Sequence, residues 1–218
     1  MKASIEQIKP PMRVLITEPA DRADDVPILL YLHGKGEASQ YENELPRICN
    51  HLSPPFQAML GRLTDVIVVA PQAPHHPEDD WNWRGYTADL CRFLTARFGQ
   101  KRILATGFSR GGLGVLQLLQ ECQNLISKWA IVDPQRAADD AEENRLLPEP
   151  HPDARGWLRY GEGIPKNKPF SDRLKNHLLK GNAEFVGLGH GDLALAAYKG
   201  ERLDGAQSLY EFLDLKYK

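Results

Sequence analysis

The stretch Arg102-Ile-Leu-Ala-Thr-Gly-Phe-Ser-Arg-Gly-Gly-Leu-Gly114 decides how the rest of the chain is read. A short apolar, β-prone run ends at Gly107, a tight turn centres on Ser109, and Val115, Leu116, Leu118 and Leu119 then mark a helix. Gly107-Phe-Ser-Arg-Gly111 fits the G-x-S-x-G pattern, in which the serine sits at a strained turn with its hydroxyl lifted clear of the sheet. Glycine is needed on both sides because side chains there would collide as the strand folds back into the helix. The turn also puts the serine at a helix N-terminus, where free N–H groups and the helix dipole favour a developing negative charge. A glycine-rich helix cap with no chemistry is the plainer explanation of these residues. The strand, turn and helix setting favours a nucleophile.

Outward from this segment, composition sets bounds. The chain has 218 residues, 42% of them hydrophobic and 26% charged, which fits one globular α/β domain spanning 1–218 with a large core. With 27 Lys+Arg against 29 Asp+Glu the net charge is −2, and nucleic acid is not expected as a partner. Met1 to Pro10 lacks the apolar core of a secretory signal and no run is long enough to span a bilayer, so a cytoplasmic protein without a membrane partner is expected. Cys49, Cys91 and Cys122 are widely spaced in helix-like surroundings and read as buried free thiols. None sits at a glycine-flanked turn, so a catalytic thiol is not expected.

Strand-like and helix-like segments alternate. Met12 to Thr17 reads as an opening strand, and Val26-Pro-Ile-Leu-Leu-Tyr-Leu32 as a strand buried on both faces. Leu45, Ile48, Cys49 and Leu52 recur at helical spacing within Gln40 to Leu52. Asp65 to Pro71 is a further buried strand, followed by a Pro/His/Asp-rich loop from Gln72 to Asp80 and a helix from Tyr86 to Phe98. After the Ser109 segment come a strand ending at Asp133, a polar stretch from Gln135 to Asp153, and a weaker strand from Gly156 to Tyr160. A helix from Phe170 to Lys180, a last strand from Ala183 to Leu188, and a closing helix from Ala206 to Leu215 complete the order. This alternation predicts an α/β fold with a mostly parallel sheet, helices on both faces and little or no cap domain.

In such sheets chemistry collects at the carboxyl ends of the strands. The residues there are His33-Gly-Lys-Gly36, Ser109, Asp133, Glu162 and His190, a set suited to acyl transfer. A neutral hydroxyl needs a base, the base needs an acid to orient it, and the intermediate needs N–H donors for its oxyanion. Of the seven His, His190 alone follows a late strand between two glycines, which leaves its ring room to reach a substrate. His33 is expected to be structural. His75 and His76 with Asp79 and Asp80 lie on a flexible loop and are not expected to hold a metal.

Leu32-His-Gly-Lys-Gly-Glu37, Val69-Ala-Pro-Gln72, a Trp-bearing loop, Gly107-Phe-Ser-Arg-Gly-Gly112 and Gly189-His190 together resemble the α/β-hydrolase superfamily. Within it the order is similar to small serine esterases of the carboxylesterase/phospholipase-like group, and to predicted peptidases and polyester-depolymerase-like esterases. The resemblance implies Ser109 as nucleophile, His190 as general base and then acid, and backbone N–H groups of Arg110 and of the Gly34/Lys35 turn as oxyanion hole. It implies hydrolysis of a small-molecule carboxylic ester, or a thioester or amide, through an acyl-enzyme and without a cofactor.

The acid departs from the family pattern. Relatives carry an Asp after the strand that matches Gly156 to Tyr160, whereas Tyr160-Gly-Glu-Gly-Ile-Pro165 offers only Glu162. Glu162 is therefore the first candidate, and Asp133, at the end of the preceding strand, is the alternative. Asp172 and Asp192 are lesser candidates, Asp192 being better placed as the N-cap of a helix through Tyr198. Trp81 and Trp83 are candidate substrate-binding residues, although Trp83 and Tyr86 equally fit packing of the following helix. Lys35 and Arg110 bring positive charge near the site and point to an ester carrying a carboxylate or phosphate. A hydrolase fold kept as a non-catalytic binding or interaction module is the alternative function, and oligomeric state is not written in the chain.

Overall fold

Six parallel strands carry the site in a computed structural model that describes residues 1–20, 25–74, 83–137, 139–147, 155–177, 182–203 and 207–218. The strands are β1 (Lys2–Lys9), β2 (Met12–Glu18), β3 (Ile28–Leu32), β4 (Ile67–Gln72), β5 (Ile103–Phe108), β6 (Ile126–Val132), β7 (Arg155–Gly161) and β8 (Asn182–Val186). They form one sheet in the order β1-β2-β4-β3-β5-β6-β7-β8. Pairing from β4 through β8 is parallel, while β2 runs antiparallel to both β1 and β4.

The helices are α1 (Pro54–Met59), α2 (Arg84–Phe98), α3 (Arg110–Cys122), α4 (Asp140–Leu146), α5 (Lys168–His177), α6 (His190–Tyr198) and α7 (Leu209–Phe212). Strands β3, β4 and β5 are buried throughout, so alternate side chains feed two cores. On one face Ile28, Leu30, Leu32, Val69 and Ala105 pack with Leu90 and Leu94 of α2, Leu116 of α3 and Phe170 of α5. On the opposite face Leu29, Tyr31, Val68 and Leu104 pack with Leu193 and Ala197 of α6 and Phe212 of α7. The fold class matches the expectation, helices covering both faces.

Local structure differs from expectation in four places. Lys2 to Lys9 forms an edge strand that its polar, largely exposed side chains do not announce; its order comes from the ladder with β2. Residues 42–52 form 3-10 turns broken at Asn50 and His51 rather than one regular helix. The closing helix is the four residues of α7, capped by Ser208 and Glu211. Cys91 of α2 and Cys122 of α3 are joined as a disulfide with Cα atoms 6.3 Å apart, and only Cys49 is a free thiol among the described residues. Of the 135–153 stretch, the described part supplies α4 alone. No helix among the described residues is long and apolar enough to cross a membrane.

Candidate active site

Ser109 occupies the junction of β5 and α3 with φ of 55°, in the left-handed region that a non-glycine residue enters only at a cost. Close packing enforces it. A Cβ built on Gly107 would stand 2.2 Å from the Gly111 carbonyl oxygen, and one on Gly111 would stand 1.8 Å from that of Leu32. The serine backbone is also tied across the sheet: its N–H donates to Val132 O at 3.0 Å, and its carbonyl accepts from Gln135 N at 3.0 Å. Those two bonds bracket Asp133, so the Ser109 turn and the Asp133 turn are one fastened unit.

Asp133 follows β6 with φ of 41°, a conformation that Asp tolerates better than most residues. Its N–H donates to Arg159 O at 2.7 Å, and its Oδ1 accepts the Gly161 N–H at 3.1 Å. Oδ2 lies 2.5 Å from Nδ1 of His190, the first residue of α6. Since a carboxylate accepts, the proton on this contact is on Nδ1, which leaves Nε2 as the ring acceptor.

Glu162, the first candidate for the acid, does not meet His190. Its flanking glycines face the loop that carries the imidazole: a Cβ on Gly161 would stand 2.3 Å from Leu188 O, and one on Gly163 would stand 2.1 Å from His190 N. The Glu162 side chain itself is exposed to solvent. The carboxylate at the imidazole is Asp133, the alternative. Asp172 instead pairs with Lys168 and Tyr160, and Asp192 lies in the first turn of α6, whose N-cap is Gly189.

The turn after β3 lies beside Ser109. A Cβ on Gly34 would come within 3.4 Å of Ser109 Cβ. His33 is fully buried and bonds through both nitrogens: Nδ1–H donates to Gly34 O at 2.6 Å, and Nε2 accepts the Ala73 N–H at 3.0 Å. Burial lowers its pKa, against the opposing pull of the Gly34 bond and the Glu37 charge, so the ring is a neutral strut. Gln72, ending β4, reaches the turn through Nε2, which donates to Glu37 O and Glu44 O, each at 2.9 Å. The Pro-Gln strand end thereby shapes the glycine turn.

Lys35 is exposed, whereas Arg110 is buried and its Nε donates to Gln135 Oε1 at 3.1 Å. Trp83 is fully buried; its indole N–H donates to His33 O at 3.4 Å and its ring fills the space over Gly114. It packs the scaffold and offers no surface to a substrate. Trp81, His75, His76, Asp79 and Asp80 lie outside the described residues, and no group of metal-binding side chains occurs among the described ones.

Two side chains to which the sequence assigned no role border the site. Glu37, in the Lys35–Glu37 3-10 turn, is buried and lies 3.3 Å from His51 Nε2. The His51 ring rests on Phe108, centroids 5.3 Å apart, and the same phenyl ring contacts His190 at 4.4 Å. An acid in the glycine turn was the one available signal, and its partner has no spacing rule.

No family model matches the sequence, and no curated protein matches it significantly. Solved structures do match in shape. A thermostable esterase superposes with a TM-score of 0.61 over 91% of this chain at 19% identity, and the chain spans 60% of that esterase's length. Carboxylesterase CesB from Bacillus subtilis gives 0.58 over 89% of this chain and 87% of its own, at 12% identity. The thioesterase domain from the curacin biosynthetic pathway gives 0.56 over 91% and 98%, at 12% identity. The chain has the α/β-hydrolase fold. In that fold, strand ends β3, β5, β6 and the loop after β8 meet on one edge of the sheet. Gly34, Ser109, Asp133 and His190 occupy those four places.

Proposed function

We propose that the chain is a serine hydrolase of carboxylic esters. The observation that carries this reading is the Asp133–His190 contact at 2.5 Å, made by the turn that is itself bonded to the Ser109 backbone. Ser109 Oγ attacks the ester carbonyl carbon while His190 Nε2 takes its proton. Asp133 keeps the imidazole in the Nδ1–H tautomer and stabilises the imidazolium that forms. Negative charge moves to the carbonyl oxygen, where N–H groups of Arg110 and of the Gly34/Lys35 turn, with the α3 N-terminus, receive it. The tetrahedral intermediate collapses, His190 protonates the leaving alcohol, and an acyl-Ser109 remains. Water, deprotonated by His190, then releases the acid by the same steps.

Thioesters are the second substrate class, since a thiolate leaves along the same path. The non-catalytic alternative drew on the lack of an Asp after β7, and Asp133 supplies that carboxylate from β6. A fluorophosphonate probe is expected to label the purified protein on Ser109, with labelling and p-nitrophenyl acetate hydrolysis both lost in Ser109→Ala. An intact Ser109 that stays unlabelled at millimolar probe would overturn the assignment.

A further inference from the structure

The segment Gly34-Lys35-Gly36 places two glycines in the turn that must hold N–H groups still, and glycine makes a turn easy to deform. His33 and Gln72 fasten its two ends. Its middle is governed by Glu37, whose carboxylate folds back until Oε2 would be 3.2 Å from a Cβ on Gly34. That carboxylate is only 3% exposed, and a charge removed from water to this degree persists only when paired. Its partner is His51, with a side chain 35% exposed and a backbone φ of 54° that turns the ring back from the end of the 3-10 segment.

We propose that Glu37 and His51 act together as positioning residues, a carboxylate–imidazole pair that locks the glycine turn against Phe108 and so against the serine that follows it. The geometry supplies both ends of the lock. Glu37 belongs to the turn, and the His51 ring packs at a tilt against the residue immediately before Ser109, on the same phenyl ring that touches His190. The charges reinforce it. Burial alone pushes the Glu37 carboxyl up, yet the hydrogen bond from His51 brings it below the usual carboxylate value. The Glu37 bond in turn raises His51, against the lowering by burial. Neither side chain needs to touch substrate. The pair acts by holding N–H donors where an oxyanion forms, and donors displaced by a fraction of an ångström lose much of their effect.

The inference rests on the serine-hydrolase reading for its kinetic consequence and on the turn alone for its structural one, and the test separates them. Hydrogen–deuterium exchange is followed on the free protein across residues 33–39 for wild type, Glu37→Gln, His51→Gln and the double variant. Exchange in this segment is expected to quicken about tenfold in each single variant and no further in the double. Unchanged exchange, or strictly additive effects, overturns the lock. His51→Gln alters a part-exposed ring and keeps the test available if Glu37→Gln does not fold. In ester hydrolysis kcat is expected to fall about tenfold or more with KM within about twofold. A raised KM at constant kcat would instead mean that the pair contacts substrate, and would also overturn the proposal. If wild type neither hydrolyses esters nor reacts with fluorophosphonate, the hydrolase reading fails while the exchange result still decides the lock.

Discussion

Asp133 and His190, 57 residues apart, are brought together by the ends of neighbouring elements, with Oδ2 at 2.5 Å from Nδ1. The contact is held from behind by the Gly161 N–H on Oδ1, so both carboxylate oxygens are committed. Asp133→Asn keeps the shape but offers its partner an amide, which favours the wrong imidazole tautomer. Ester-hydrolysis kcat is expected to fall about 10³- to 10⁴-fold with little change in KM. Glu162→Gln, at an exposed position, is expected to stay within about twofold of wild type. Steady-state kinetics on both variants check the assignment, and equal losses would reject it.

Two buried or part-buried imidazoles should pull stability in opposite directions with pH. His33 has a lowered pKa, so below its unfolded value of about 6.5 the unfolded chain takes up a proton that the folded one refuses. Its contribution is therefore complete above about pH 6.5 and is lost as pH falls. His51 has a raised pKa, so its contribution is complete below about pH 6.5 and is lost as pH rises through the folded value. Thermal unfolding from pH 5 to 8 measures both. Relative to wild type, His51→Gln should lose more Tm at pH 5 than at pH 8. A His33→Gln variant should show a shallower acid-side fall than wild type; a steeper one would contradict a neutral buried ring.

Much of this was legible beforehand because burial on both faces writes itself as unbroken apolar runs, as in Ile28 to Leu32 and Ile67 to Ala70. The Ser109 turn was legible for a steric reason: Gly107 and Gly111 face backbone atoms and admit no Cβ. The acid was harder. Asp133 and Glu162 both end strands, and the choice between them depends on which way a strand-end side chain points. That direction came from Gly161 and Gly163 packing on the His190 loop, which a pattern of residue types does not display. Trp83 illustrates the same limit, since an aromatic ring near a strand end serves pocket or core equally until its neighbours are known. Glu37 and His51 are paired through tertiary contact alone, and β1 through its ladder to β2.

The Cys91–Cys122 bridge joins α2 to α3, the helix that begins beside Ser109, across a sequence separation of 31. Buried free thiols were the expectation, because a separation of this kind carries no pairing signal. Closing such a loop removes conformational freedom from the unfolded chain worth about 3–4 kcal/mol in the chain-entropy account. For a chain of this size that corresponds to about 6–16 °C in Tm. The bridge lies in a groove of about 520 Å³ whose walls include Arg92, Thr95, Glu121 and Asn124, so a small reductant can reach it. Adding dithiothreitol is expected to lower Tm by that amount, and Cys91→Ser should be lower in Tm than wild type and insensitive to reductant. Alkylation at pH 8 reports the same bridge chemically. Burial pushes the Cys49 thiol up to about 11, so native, unreduced protein should take up little iodoacetamide. Two further alkylations should follow reduction. A bridge of this kind persists best in an oxidising compartment, and two thiols alkylated before reduction would show Cys91 and Cys122 unpaired, in keeping with a reducing one.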